Sequence, residues 1–355
     1  MRMENRPLVG ILVTKRNRRK KTLELYQKYH DLNMRLFAFS PADILWKEQR
    51  IIGLTRLKDR WMERTFPFPH AVYNRSFNKK KITIRRLEQS IGRNKCFNAI
   101  NYFNKWELHS LLKQSALHPY VPDTFLLNQK NLLEIINKYR LVYIKPLYGS
   151  KGRSVHRVEV KENFDIHISL HSLAPKYICR KEENIQRRME ELFKGEKYLV
   201  QQGIRMKPLN KHVFDIRVLV QKGLLGEWTV SAVTCRVAYE HYFNTSMCTA
   251  VRDFEVVAPQ FLSSEETNII LQSLHEASIT AAQEAENRMS SLGEISVDYG
   301  IDVQNRLWII ELNGKPQKNI YNDPSCVKYK ELIYKRPLEY ASYLSQQEIE
   351  KSDDR

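Results

Sequence analysis

Long apolar runs are scarce in this sequence. The longest near its start, "LVGILV" at 8–13, is too short for a membrane span or for the apolar part of a signal peptide. The strongly basic "KRNRRKK" follows that run, whereas a secretory leader carries its charge in front. A buried first strand is expected there, with no insertion into a membrane. Cysteine is sparse: Cys96, Cys179, Cys235, Cys248 and Cys326 form an odd set with no CxxC pair and no zinc spacing. Reduced thiols in a cytoplasmic protein are expected. Acidic residues are outnumbered, 40 against 58 Lys and Arg, for a formal net charge of +18. That excess favours a nucleotide, a nucleic acid, an anionic polymer or a membrane surface as partner. No nucleic-acid-reading motif is present, which argues against the second of these. GxxxxGK[ST], GxGxxG, internal repeats and any Ser-His-Asp or Cys-His arrangement are missing too.

What is present is a chain of 355 residues, 42% hydrophobic, enough for two or three domains. "LVGILVT", "MRLFAFSP" and "HAVYNRS" read as strands of an α/β unit. "KKTLELYQKYHDLN" reads as its helix, with Leu23, Leu25, Tyr26 and Tyr29 on one side. The basic stretches at 15–21 and 79–86 read as a solvated face. "NKWELHSLLKQSALHPYVPDTFLL" predicts a helix, a loop broken by Pro119 and Pro122, and a strand, followed by a helix over 130–139. Further strands are expected at "YIKP", "EKYLVQQGI", "FDIRVLVQK", "LLGEWTVSAVTCRVA", "EISVDYGID" and "RLWIIELNG". A long amphipathic helix with a Ser263/Glu266 capping box lies before the last two. The final residues read as a charged helix and tail.

Two stretches suggest chemistry. "ISVDYGIDVQNRLWIIELNG" reads as a hairpin turning at Gln304-Asn305. That register sets Asp298 opposite Glu311, with Asn313 on the same face. Facing carboxylates repel unless a cation sits between them or one takes up a proton. Magnesium suits such hard oxygen donors. A solvent-facing acidic pair, each carboxylate on a lysine, is the plainer alternative. In "YIKPLYGSKGRSV", Lys145 stands on a strand ahead of a loop with two glycines, which lets backbone N–H groups approach an anion. A simple basic turn explains that stretch equally well.

The order of a lysine strand, a glycine loop, "LVQQGI", "DIRVLV" and "D…ELN" resembles the ATP-grasp family over about residues 100–320. The chain is most similar to the YheC/YheD group from spore-forming bacteria, through "FNKWELHSLLKQSALHPYVPDT", "IKPLYGSKGRSV" and "IIELNGKP". The resemblance implies an α+β ATP-grasp fold within the α/β class: an N-terminal α/β unit at 1–100, a central subdomain at 101–195, a C-terminal subdomain at 196–330 and a helical tail at 331–355. It implies that Lys105 and Lys145 reach the phosphates of ATP. Gly149, Ser150, Lys151 and Gly152 match the loop that covers those phosphates, and Gln201, Gln202 and Ile204 match the segment along the adenine edge. Asp215 shares a strand face with Arg217. Arg217 and Arg236 match groups that act on phosphate or substrate, and Asp298, Glu311 and Asn313 match the ligands of Mg2+. Two departures stand out. "FNTSMCTAVRDF" keeps Asn244 but lacks the glycine pair that relatives carry after it, and "NGKPQ" lacks a glycine after its proline.

The activity so implied is ligation: a carboxylate activated by ATP, then attacked by an amine or thiol. A link to the spore coat, in the mother-cell cytoplasm or on the coat with its proteins as partners, follows from the same resemblance. A non-catalytic ATP-binding assembly protein of the coat is the alternative.

Overall fold

The computed structural model describes residues 6–29, 31–76, 82–127, 132–149, 152, 154–181, 183, 185–194, 197–289 and 291–347. The expected apolar run forms strand β1 (Leu8–Leu12), buried at every position. It lies between two parallel partners, β2 (Arg35–Phe39) and β6 (Ala71–Asn74). A strand flanked on both sides and both faces must be apolar throughout, and β1 is. The sheet order is β3-β4-β2-β1-β6-β7, with β5 on β4. Here β3 is Ile44–Leu45, β4 Arg50–Leu57, β5 Arg60–Pro67 and β7 Cys96–Phe97. The β4–β5 hairpin has no counterpart among the expected elements: β5 is exposed or half-buried along its length and lacks the apolar alternation that announces a strand.

Helix α1 (Arg19–Gln27) leads from β1 to β2, and α2 (Ile82–Ile91) from β6 to β7. The two crossovers leave in opposite directions, so the sheet has its switch point between β1 and β6. Leu23 and Tyr26 of α1 are buried, but Leu25 is exposed and turns away from them, contrary to its expected place. Within the basic stretch at 15–21 the expectation of a solvated face fails at Arg19. Its guanidinium is buried and paired with Asp43 at 3.4 Å and with Glu63.

Helix α3 (Lys105–Lys113) follows, capped by Asn104, whose Oδ1 accepts from the Trp106 N–H at 3.0 Å. The second sheet has six strands in the order β12-β11-β10-β9-β13-β8. They are β8 (Thr124–Leu126), β9 (Leu141–Pro146), β10 (His156–Val160), β11 (Ile166–Leu170), β12 (Pro175–Cys179) and β13 (Tyr198–Gln202). Helices α4 (Leu132–Tyr139) and α5 (Ile185–Leu192) accompany them. β13 lies beyond the expected boundary at 195, yet it pairs with β9 and β8 and belongs to this sheet.

The third sheet runs β16-β15-β14-β17-β18. Its strands are β14 (Phe214–Lys222), β15 (Trp228–Ala238), β16 (Cys248–Asp253), β17 (Glu294–Ile301) and β18 (Leu307–Asn313). Between β16 and β17 come the short α6 (Phe254–Val257) and the long α7 (Ser264–Met289). The expected capping box is formed: the Glu266 N–H donates to Ser263 Oγ at 3.2 Å, and Glu266 Oε2 accepts from the Ser263 N–H at 2.8 Å. Leu274, Ala281 and Ala285 of α7 cover one face of the sheet, against Val218, Val220 and Val297.

The opposite face meets helix α8 (Lys330–Gln346). The expected charged terminal helix is present but internal: Ile333, Leu338, Tyr340 and Ala341 are buried among Val9, Ile11 and Tyr73 of the first sheet and Leu219 of the third. Ion pairing tightens this junction. Glu294 Oε2 is 2.7 Å from Lys318 Nζ and Oε1 is 2.9 Å from Arg75 Nη1, while Tyr73 and Gln221 also donate to the carboxylate. Burial pushes this carboxyl up, but Lys318, Arg75 and the hydrogen bonds outweigh that and hold it down at about 2.

Replacing Glu294 by Gln leaves two buried cations without their counter-ion. A loss of about 3–5 kcal/mol at neutral pH is expected by chemical denaturation. The native carboxyl titrates below its ordinary range, so its contribution is full above about pH 4.5 and fades as pH falls toward 2. Variant and wild type should therefore converge in stability on acidification; a gap that stays constant to pH 2 would contradict the ion-pair role.

Candidate functional site

One cavity of about 1040 Å3 is lined by residues of the second and third sheets and of the segments that follow β1 and β6. On β14 the residues Arg217, Leu219 and Gln221 alternate with the apolar Ile216, Val218 and Val220. The apolar set faces α7 and the other set faces α8 and the cavity. Arg217 pairs in register with Asp298 of β17, and Asp215 with Arg236 of β15.

Asp298 does face Glu311, and Ser296 faces Asn313, as the hairpin reading required. The turn is different. Asn305 adopts a left-handed conformation, φ 63°, and the loop spans three residues, 303–305, closed by Asp302 and Arg306. A bulge beyond Asp298, where Tyr299 pairs with Ile309, then restores the register. The two departures cancel at the site.

Repulsion between the carboxylates is relieved by protein cations. Arg217 donates from Nε to Asp298 Oδ1 and from Nη2 to Oδ2, both at 2.7 Å, and Arg236 Nη2 adds a bond of 3.0 Å to Oδ2. Burial raises the Asp298 carboxyl, but Arg217 and then Arg236 pull it below its ordinary value. Arg236 also binds Asp215, which accepts from Thr245 as well. The Asp215 carboxyl is raised by burial and by the nearby Asp298, against the pull of Arg236. Glu311 pairs with Lys105 at 2.9 Å.

Lys105 also donates to the Gly149 carbonyl at 3.1 Å, so the start of α3, the glycine loop and β18 meet at one ammonium. Lys145 Nζ donates to Gln201 Oε1 at 2.6 Å; burial lowers this lysine to about 8, partly offset by Glu311. Gly149 and Gly152 line the cavity. Gly152 has φ +62°, and a Cβ there would lie 2.9 Å from Ser246 Cβ, so the glycine loop touches the 243–251 loop. Ser150 and Lys151 lie outside the described residues.

Gln201 lines a second, small cavity of about 50 Å3 with Lys105, Lys145, Leu199 and Leu312. Gln202 and Ile204 are not brought to either cavity: Gln202 accepts from the Asp123 N–H at 3.2 Å, and Ile204 is buried. The sequence reading missed Arg75 and Lys315, which line the large cavity. Lys315 lies inside a quoted motif, "IIELNGKP"; Arg75 carries no local signal. Burial, then Arg75, lowers Lys315 to about 7.

Asp298, Glu311 and Asn313 are oxygen donors of the type magnesium takes. They fit the ion: among the described residues, Asp298 Oδ1 accepts a single hydrogen bond, and Glu311 is held by one flexible lysine. The Asn313 amide, which donates to Asp298 at 3.3 Å, must turn to offer its oxygen. Among the described residues no three His, Cys, Asp or Glu side chains form a metal cluster. An ion here needs ligand oxygens as well.

Asp298→Asn removes the carboxylate charge shared by two buried arginines. A destabilisation of roughly 2–4 kcal/mol is expected, because Arg217 loses its counter-charge and Arg236 keeps only Asp215. Denaturant titration checks this, and an unaltered midpoint would mean that the arginine fork is not formed in solution.

The relatives agree with this architecture. The family model described as "YheC/D like ATP-grasp" matches residues 93–344. The endospore coat-associated protein YheD of Bacillus subtilis (strain 168) is 27% identical over 328 residues, 88% of this chain and 71% of that protein. Carboxyaminoimidazole ribonucleotide synthase of Aspergillus clavatus, solved in complex with ATP, has a TM-score of 0.57 at 13% identity, covering 98% of this chain and 78% of that one. The D-alanine-D-alanine ligase of Coxiella burnetii has a TM-score of 0.52 at 12% identity over 96% and 95% of the two chains. Such low identities speak for the fold alone. With most of its length matched by the family model and its three sheets around one cavity, the chain belongs to the YheC/D-like ATP-grasp family.

Proposed function

We propose that this protein is an ATP- and magnesium-dependent ligase that joins a carboxylate to an amine or thiol. The observation that carries the reading is the convergence of Lys105, Lys145, Arg217 and Arg236 with Asp298 and Glu311 in one cavity. Anion-binding cations beside hard oxygen donors are what phosphoryl transfer requires. A substrate carboxylate oxygen attacks the γ-phosphorus, the bond to ADP breaks, and an acylphosphate forms. The amine or thiol then attacks the acyl carbon, loses its proton and expels phosphate. Asp298, Glu311 and Asn313 would hold magnesium, which would supply charge neutralisation for the phosphates.

Lys105 and Lys145 hold phosphate oxygens, and the glycine loop with the 243–251 loop keeps water out. Arg217 and Arg236 sit where charge builds on the transferred group, each kept in place by a carboxylate. The small cavity at Gln201 has room for one or two waters. Purine entry there requires the second sheet to swing away from the third.

A second reading, an ATP-binding assembly protein of the spore coat without turnover, is favoured by one observation. The 243–251 loop has no glycine, and Ser246 sits against Gly152. The coat link itself rests on the name of the relative YheD.

ATP with magnesium should raise the melting temperature, since a ligand of the folded state stabilises it. Lys145→Ala should remove most of that shift, and a shift equal to wild type would refute the phosphate role. To separate turnover from assembly, Glu311→Gln is placed in the host strain at normal protein level. Under conditions where deletion of the protein gives a coat defect, the ligase reading requires Glu311→Gln to give it too. A normal coat would leave only the assembly reading.

A further inference from the structure

The cavity extends well beyond the nucleotide-facing residues, into the first sheet. Open α/β sheets bind ligands beyond the carboxyl ends of their strands at the switch point. Here that point lies between β1 and β6. The segment after β1 contributes Lys15 and Arg18, and the segment after β6 contributes Arg75; all three line the cavity. Helix α1 adds a stripe at 18, 21, 22 and 25, one turn above another. This explains the exposure of Leu25: it faces the cavity, not the core.

The charge of this end is one-sided. The nearby acids Asp43 and Glu63 are taken by Arg16 and Arg19. Among the described residues, Lys15, Arg18 and Lys21 form no ion pair and stay exposed. Like charges this close repel each other, and an anion bridging them offsets that cost. Arg75 is committed to Glu294 and anchors the floor of the crevice.

We propose that the crevice between β1 and β6 binds an anionic group of the acceptor substrate, remote from its reacting end, through Lys15, Arg18 and Lys21. The substrate is then a multiply charged anion, a polycarboxylate or a phosphorylated molecule. The nature of that substrate rests on the ligase reading; the presence of an anion site in the crevice does not.

The test is calorimetric titration of wild type and of the triple variant Lys15→Ala/Arg18→Ala/Lys21→Ala, with magnesium and a non-hydrolysable ATP analogue present. The probes are triglutamate and glucose 6-phosphate, with triglutamine and glucose as neutral controls. Wild type should bind at least one anion and neither control. Triglutamate alone assigns carboxylate, and glucose 6-phosphate alone assigns phosphate. The triple variant should lose roughly tenfold or more in affinity for the anion, with less than about a twofold change for the analogue. The proposal is overturned if neither anion binds, if the controls bind equally, if the variant binds the anion as wild type does, or if it loses the analogue too. Anion binding without analogue binding in wild type would sink the ligase reading and leave the crevice assigned.

Discussion

A carboxylate that water cannot reach governs how this molecule is put together. Glu294 stands at the start of β17, between the third sheet and the first, and stays ionised there because Lys318 and Arg75 surround it. An isolated buried carboxylate would cost several kcal/mol. The cost is offset only when the first sheet, the turn at Lys318 and β14 arrive together. Lys318 is further held among the rings of Tyr26, Tyr73 and Tyr334. The relative placement of the two sheets is thereby specified.

That placement reaches the site through strand periodicity. Glu294, Ser296 and Asp298 share one face of β17, and Gln221, Leu219 and Arg217 stand opposite on β14. One end of this face is sealed by the Glu294 network, and the other opens into the cavity at Asp298 and Arg217. The sealed end holds the open end in register. Arg217 and Arg236 are thus directed by carboxylates on neighbouring strands. Of the glycine loop's described residues, Gly149 accepts from Lys105 and Gly152 lies against Ser246.

Where sequence reading went astray, long-range packing had intervened. Leu25 looked like a core residue because one period of a helix cannot distinguish the core from a cavity wall. Helix α8 was expected as a charged terminal helix, and its burial was not legible because its charges alternate with the apolar residues that two sheets enclose. The hairpin of β17 and β18 was paired correctly at Asp298 through two cancelling irregularities, a three-residue loop and a bulge. Facing carboxylates were legible, but their partners Arg217 and Arg236 lie 81 and 62 residues from Asp298 and meet it only across the sheet.

By itself the sequence determined what local chemistry can: the strands and helices with strong apolar periodicity, the capping box, the basic balance, and the glycine loop with its lysine. These depend on side-chain periodicity and backbone preference, which act over a few residues. Tertiary structure decided the rest. It made the exposed basic stretch a crevice wall and placed the charged terminal helix in a core shared by two sheets. It gave Asp298 two arginines for counter-ions. Such outcomes depend on which distant groups are desolvated together, and the strength of an electrostatic contact is set by that burial and not by sequence spacing.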